Sequence, residues 1–157
     1  MTTPRVSATA LPDESALRQR AGASDFLDCF AVRADAPPRE AAEIIAAFPG
    51  WARFLLAIRR IVTAPFGLSN DGPDAPDKVG AFPVELETPT ELIAGFNDRH
   101  LDFRISVISR ERTVSLATWV RPHNIGGRLY LTLIMPFHVM IARNALSRVA
   151  AARPAVE

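Results

Sequence analysis

Apolar residues recur along this chain with two different periods, and the change of period divides it. Residues 25–32 (DFLDCFAV) place apolar side chains on both faces, which predicts a strand buried on two sides. Asp35 then stands as an N-cap before Pro37 and Pro38. Ala41, Ile44, Ile45 and Phe48 follow at helical spacing until Pro49-Gly50 ends the run. Trp51, Phe54, Leu55, Ile58 and Val62 mark a second helix, so two short helices form a V. Residues 65–80 concentrate Pro, Gly, Asn and Asp and predict a loop.

Beyond that loop the period is two. Residues 79–87 and 91–97 predict a strand pair, and Pro83 consigns the first to a sheet edge. Residues 100–109 and 112–121 predict a hairpin around Arg110-Glu111. Leu101, Phe103, Ile105 and Val107 then stand opposite Val120, Thr118, Leu116 and Val114, and the alternate positions form a polar face. The sheet is therefore expected to pack on one side only. Asn124 to Gly127 should turn into a last strand over 128–135. Pro136 should end it, and a terminal helix should run from Phe137 to about Ala152 on Phe137, Met140, Ile141, Ala145 and Val149. Strand, two helices, four or five antiparallel strands and a long final helix make an α+β fold.

Composition narrows the class. A chain of 157 residues, 48% hydrophobic and 22% charged, suffices for one packed core and is unlike disordered sequence. One cysteine rules out a disulfide framework. No uninterrupted apolar run reaches the ~20 residues of a membrane span, so no membrane insertion is expected. Residues 1–24 are mixed and polar, unlike an export signal. They read as a loosely ordered lead-in to a single domain at 25–152, with 153–157 as a tail and a cytoplasmic location as the expectation. Charge is uneven: residues 1–98 carry −5 and residues 99–157 carry +6. The basic residues form no run and accompany no RNA-binding motif, so no nucleic-acid partner is expected.

Chemistry concentrates at 98–106 (DRHLDFRIS). On a strand Asp98, His100, Asp102, Arg104 and Ser106 project together, joined by Arg121 and Trp119 from the partner strand. Asp98, His100 and Asp102 are the candidate catalytic residues, with a carboxylate fixing the imidazole tautomer for acid–base work. The same residues as metal ligands are disfavoured, because two nearby arginines repel a cation, and no metal is expected. The plainest reading is an ion-pair ladder from Asp102 to Arg104 and Arg121. Cys29, among apolar neighbours, reads as a small buried hydrophobe. His138 falls in the first turn of the predicted last helix, where the helix dipole favours the neutral ring. No phosphate-cradling loop, nucleophile elbow or zinc-protease motif occurs.

The element order resembles the helix-grip fold of the START and Bet v 1-like (SRPBCC) superfamily. The blocks DRHLDFRISV (98–107), TWVRPHNIGGRLY (118–130) and PFHVMI (136–141), with DFLDCF and PFGL, resemble the bacterial domain-of-unknown-function family 2867 over about 25–150. The helix-grip resemblance implies a curved antiparallel sheet wrapped on the terminal helix, with a cavity between them. Such a pocket would be lined by Leu101, Phe103, Ile105, Leu116, Thr118, Leu131 and Leu133 from the sheet and by Phe137, Met140 and Ile141 from the helix. Arg104, Arg121 or His138 would orient the ligand. The leading expectation is binding of a small apolar or amphipathic molecule without a cofactor. A cofactor-free cyclase, dehydratase or hydrolase built on His100 is the alternative. An interaction or regulatory domain, with a homodimer through an exposed Trp119, is a third.

Overall fold

The structure is a computed structural model describing residues 4–66 and 73–156, without the side chains of 62, 63 and 66. Seven antiparallel strands run in the order β1-β2-β7-β6-β5-β4-β3. They are β1 (Ser7–Ala8), β2 (Phe26–Arg33), β3 (Lys78–Val79), β4 (Phe82–Glu87), β5 (Glu91–Asn97), β6 (Leu101–Arg110) and β7 (Thr113–Pro122). Two short helices, α1 (Pro38–Ala46) and α2 (Gly50–Thr63), follow β2, and α3 (Ile125–Ala152) closes the chain. This is the expected α+β arrangement, consistent with a helix-grip architecture.

Helix α1 opens on Pro38 with Pro37 as a cap that lends no side chain. Asp35 does not cap it; its backbone N–H is taken by the Arg153 carbonyl. Across Pro49 the axis turns by 67°, so α1 and α2 do form a V. The stripe read in α2 exists, but Trp51, Phe54 and Ile58 point outward, and Ile61 joins them at 75% exposure. Of the loop read over 65–80, residues 67–72 lie outside the described ones. The sheet edge is the two-residue β3, not β4, and Pro83 sits opposite Lys78 within that pair.

The β6–β7 hairpin is displaced by two residues from the expected register. Leu101 faces Pro122, Phe103 faces Val120, Ile105 faces Thr118 and Val107 faces Leu116. Glu111 (φ 50°) and Arg112 (φ 59°) form the turn, a two-residue connection with both φ values positive. A shift of two leaves every side chain on its face.

Two further expectations fail for physical reasons. Residues 128–135 are helical, not a strand, so α3 begins twelve residues earlier than Phe137. The Asn124 side chain accepts from the Gly127 N–H at 2.9 Å and starts the helix. Pro136 lies inside it, and the run carries both periods: Leu129, Leu131, Leu133 and Met135 alternate, while Ile125, Leu129, Leu133 and Phe137 recur every four residues. Leu131 and Leu133 therefore belong to α3, and His138 is mid-helix, away from the dipole argument. Ile125, Leu129, Leu133, Phe137 and Met140 form an exposed stripe along α3, Leu133 at 72%.

Nor is the sheet bare on one side. One face holds the main core, where Phe30, Val32, Leu92, Val107 and Leu116 meet Ala142, Ala145, Leu146 and Val149 of α3. The other face carries Cys29, Ile93, Ile108, Ala117 and Trp119, covered by Leu11 and Leu17. The segment read as a loose lead-in thus packs on this second face, with Leu17 and Trp119 each 1% exposed. Glu91 fastens it, accepting from Ser15 Oγ (2.6 Å), the Ala16 N–H (2.9 Å) and Ser106 Oγ (2.5 Å). Trp119 is no exposed dimer patch.

Candidate functional site

Alternation in β2 turns Phe26, Asp28, Phe30 and Val32 toward α3. Under the second half of α3 this face is filled by the core. Under its first half it is only partly covered, and Phe26, Asp28, Phe103, Ile105 and His138 are all half-buried there. Asp28 lies opposite Thr118 in the β2–β7 ladder. His138 comes down from α3 and places Nε2 2.9 Å from Asp28 Oδ2. The Phe26 ring meets the imidazole edge-on at 6.1 Å. The Asp28 and His138 side chains are 19% and 21% exposed. A carboxylate can only accept, so His138 presents Nε2–H and a neutral ring keeps its lone pair on Nδ1. Asp28 Oδ1 is buried and has no hydrogen-bond partner.

Next to this pair a cleft of about 500 Å³ opens between the start of β2, the end of β7 and α3. Phe26, Pro122, Leu131 and Thr132 line it, with Asp25, Arg121 and Arg128 at its charged rim. Asp25 is held by Arg121 Nη2 (2.9 Å), Trp119 Nε1 (2.9 Å) and the Gly22 N–H (2.8 Å). The Arg121 guanidinium, helped by the Gly22 amide and the indole, lowers the Asp25 carboxyl to about 2.

Of the candidates at 98–106, Asp102, Arg104 and Ser106 share a face of β6, the face turned away from α3, whereas Asp98 and His100 lie in the β5–β6 turn rather than on a strand, and the five disperse among separate partners. Asp102 Oδ1 lies 3.0 Å from His123 Nε2, not on Arg104. That carboxylate and the Arg99 carbonyl raise the His123 pKa. His100 Nδ1 is 3.1 Å from the Asn124 amide that caps α3. Asp98 accepts from the Arg99 N–H at 2.7 Å. Arg104 is buried and bound to Glu85 (2.9 Å), Asn97 (3.0 Å) and the Phe103 carbonyl (2.7 Å), while Arg121 is bound to Asp25. The ladder from Asp102 to Arg104 and Arg121 is thus replaced by three separate pairings. Among the described residues no three His, Cys, Asp or Glu side chains converge on a metal position.

Of the expected lining, Phe103, Ile105, Leu116 and Thr118 do face α3, Leu101 is buried, and Leu131 lines the cleft. Leu133, Phe137 and Met140 point outward, and Ile141 is half-buried. Cys29 is buried, which pushes its thiol up to about 11. Asp28 was not singled out from the sequence. The available signal was its place between Phe26 and Phe30 in DFLDCF, a carboxylate on an inward aromatic face.

No curated protein and no solved structure matches the chain. A family profile described as "Protein of unknown function (DUF2867)" matches residues 20–145, which include β2 to β7, the Asp28–His138 pair and most of α3. The chain therefore belongs to the DUF2867 family.

Proposed function

We propose that this chain binds a small amphipathic molecule between the sheet and the first half of α3, with Asp28 and His138 holding its polar end. The orphaned Asp28 Oδ1 carries this reading. A buried acceptor without a partner costs roughly 1–3 kcal/mol, which a donor on a ligand recovers. Phe26, Phe103 and Ile105 supply the half-buried apolar surface for the rest of such a molecule. A hydroxyl- or amine-bearing ligand with an aliphatic or ring body fits this combination of one acceptor and several hydrocarbon walls.

The test is native against denaturing mass spectrometry of gently purified protein. An extra mass that leaves on denaturation, and that Asp28→Leu and Phe103→Ala each diminish, supports the reading. A bare mass in the wild type counts against it, as does a bound mass that neither substitution alters.

The 2.9 Å contact between carboxylate and imidazole also favours a second reading, proton transfer on the bound molecule with His138 Nδ1 as the base. His138→Gln separates the two. It keeps a hydrogen-bond donor toward Asp28, so binding survives while any turnover of the captured molecule stops.

A further inference from the structure

Helix α3 is long and apolar enough to cross a membrane by length and composition, yet only 11% of its most apolar window is buried in the fold. Burial in a core therefore does not account for its hydrophobicity. Its second half cannot leave the fold, because Ala142, Ala145, Leu146 and Val149 pack against the sheet and α1. The uncharged run at 129–142 is about 21 Å long, shorter than the ~30 Å hydrocarbon layer, and Arg128 and Arg143 flank it. Such a segment is suited to lying along an interface rather than spanning one.

Helix α2 repeats the pattern beside it. Arg59 reaches the Tyr130 hydroxyl and stacks over that ring at 5.2 Å, which seats α2 against the first half of α3. Trp51, Phe54, Ile58 and Ile61 follow one another at helical spacing on its outer face, Phe54 at 66% exposure. Arg53 and Arg60, seven residues apart, share the adjoining exposed face. Neither α2 nor α3 contains an Asp or a Glu; Arg53, Arg60 and Arg128 are exposed along the two helices, while Arg59 lies over Tyr130 and Arg143 and Arg148 bind the Val6 and α1 carbonyls. Two copies meeting through this surface would oppose arginine to arginine. An aromatic and aliphatic face bordered by arginines matches an anionic lipid surface.

We infer that the outer faces of α2 and of the first half of α3 dock this protein onto the surface of an anionic bilayer. This rests on a different surface from the Asp28–His138 pair, and its test leaves that pair untouched. In flotation of the full chain, vesicles containing phosphatidylglycerol should carry it and phosphatidylcholine vesicles should not. Rising salt should release it. Trp51 is exposed and Trp119 is buried, so the emission shift on vesicle binding should vanish in Trp51→Phe. Arg53→Gln with Arg60→Gln should weaken partitioning roughly tenfold or more. Phe54→Glu with Leu133→Glu should abolish it with an unchanged far-ultraviolet spectrum.

Failure of the wild type to float with anionic vesicles overturns the inference. Flotation that the arginine pair and the acidic pair both leave unaltered does so too. A dimer that Leu133→Glu dissociates, in a protein that ignores vesicles, would assign the face to a second copy instead.

Discussion

Replacing Asp28 and His138 together is the most exacting trial of the site. The two side chains are about four-fifths buried, sit on an otherwise apolar face and touch at 2.9 Å, with one carboxylate oxygen left orphaned. Removing one partner alone strands the other. Asp28→Val leaves a half-buried imidazole without its acceptor, and His138→Leu leaves both carboxylate oxygens wanting, so each should cost about 1–3 kcal/mol. Replacing both removes the desolvation cost of the pair and the orphaned oxygen at once. Exchanges of buried pairs for apolar residues are commonly neutral or stabilising by about 1–4 kcal/mol, and the residual exposure here puts the expectation at the lower end. The double variant Asp28→Val/His138→Leu should therefore match or exceed the wild type by about 1 kcal/mol while losing bound ligand. Urea unfolding of stripped protein, followed by far-ultraviolet circular dichroism, supplies the four midpoints of the cycle at a common m-value. A double variant more than about 1 kcal/mol less stable than the wild type would refute the reasoning and make the pair a structural strut.

Three further outcomes are expected. Asp25 has its pKa lowered from 3.8 to about 2 by Arg121, so its contribution is complete above pH ~4 and lost as pH falls toward ~2; it amounts to roughly 2 kcal/mol, and Asp25→Asn should flatten acid unfolding curves across that window. Gly127→Ala should cost about 1–3 kcal/mol in thermal unfolding, because the new methyl would collide with the His100 carbonyl oxygen where the start of α3 crosses the β5–β6 turn. Leu17→Ala should cost about 2–4 kcal/mol in urea and expose the segment before β2 to limited proteolysis, whereas a merely adhering lead-in would show neither effect.

What the sequence disclosed depended on how sharply each segment's pattern separates alternatives. Residues 91–97 alternate, are bounded by a Thr-Pro-Thr turn, and are the observed strand β5. The β6–β7 pairing kept its faces but not its register, because its turn uses Glu111 and Arg112 at positive φ, where the usual Asn or Gly signal is missing. In residues 129–135 Leu129, Leu131, Leu133 and Met135 alternate like a strand while Leu129 and Leu133 also continue the four-residue spacing of Ile125 and Phe137, so period does not separate the two, and Pro136 reads as a stop although α3 accommodates it. Leu11 and Leu17 stand in polar surroundings, and only their partners Trp119 and Cys29, about a hundred and about fifteen residues away, reveal them as core. The site followed the same rule. His138 is conspicuous in the sequence for its chemistry, but Asp28 is 110 positions away, and their meeting depends on α3 crossing β2. At 98–106 the charged residues were conspicuous because charges cluster there, and most are spent on fixing neighbouring strands.

The 28 residues of α3 also act as a ruler, roughly 40 Å from end to end. Its first turn borders the cleft at Arg128, while its last is tied to the opposite end of the sheet, where Arg153 meets Asp35 and Arg112 holds the Val156 carbonyl. A fluorophore or surface anchor attached at the end of α3 would therefore sit most of a domain's length from the cleft. Immobilising the protein by that end leaves the cleft and both outward-facing stripes presented to solution, and a fused reporter there would register binding only through the helix itself.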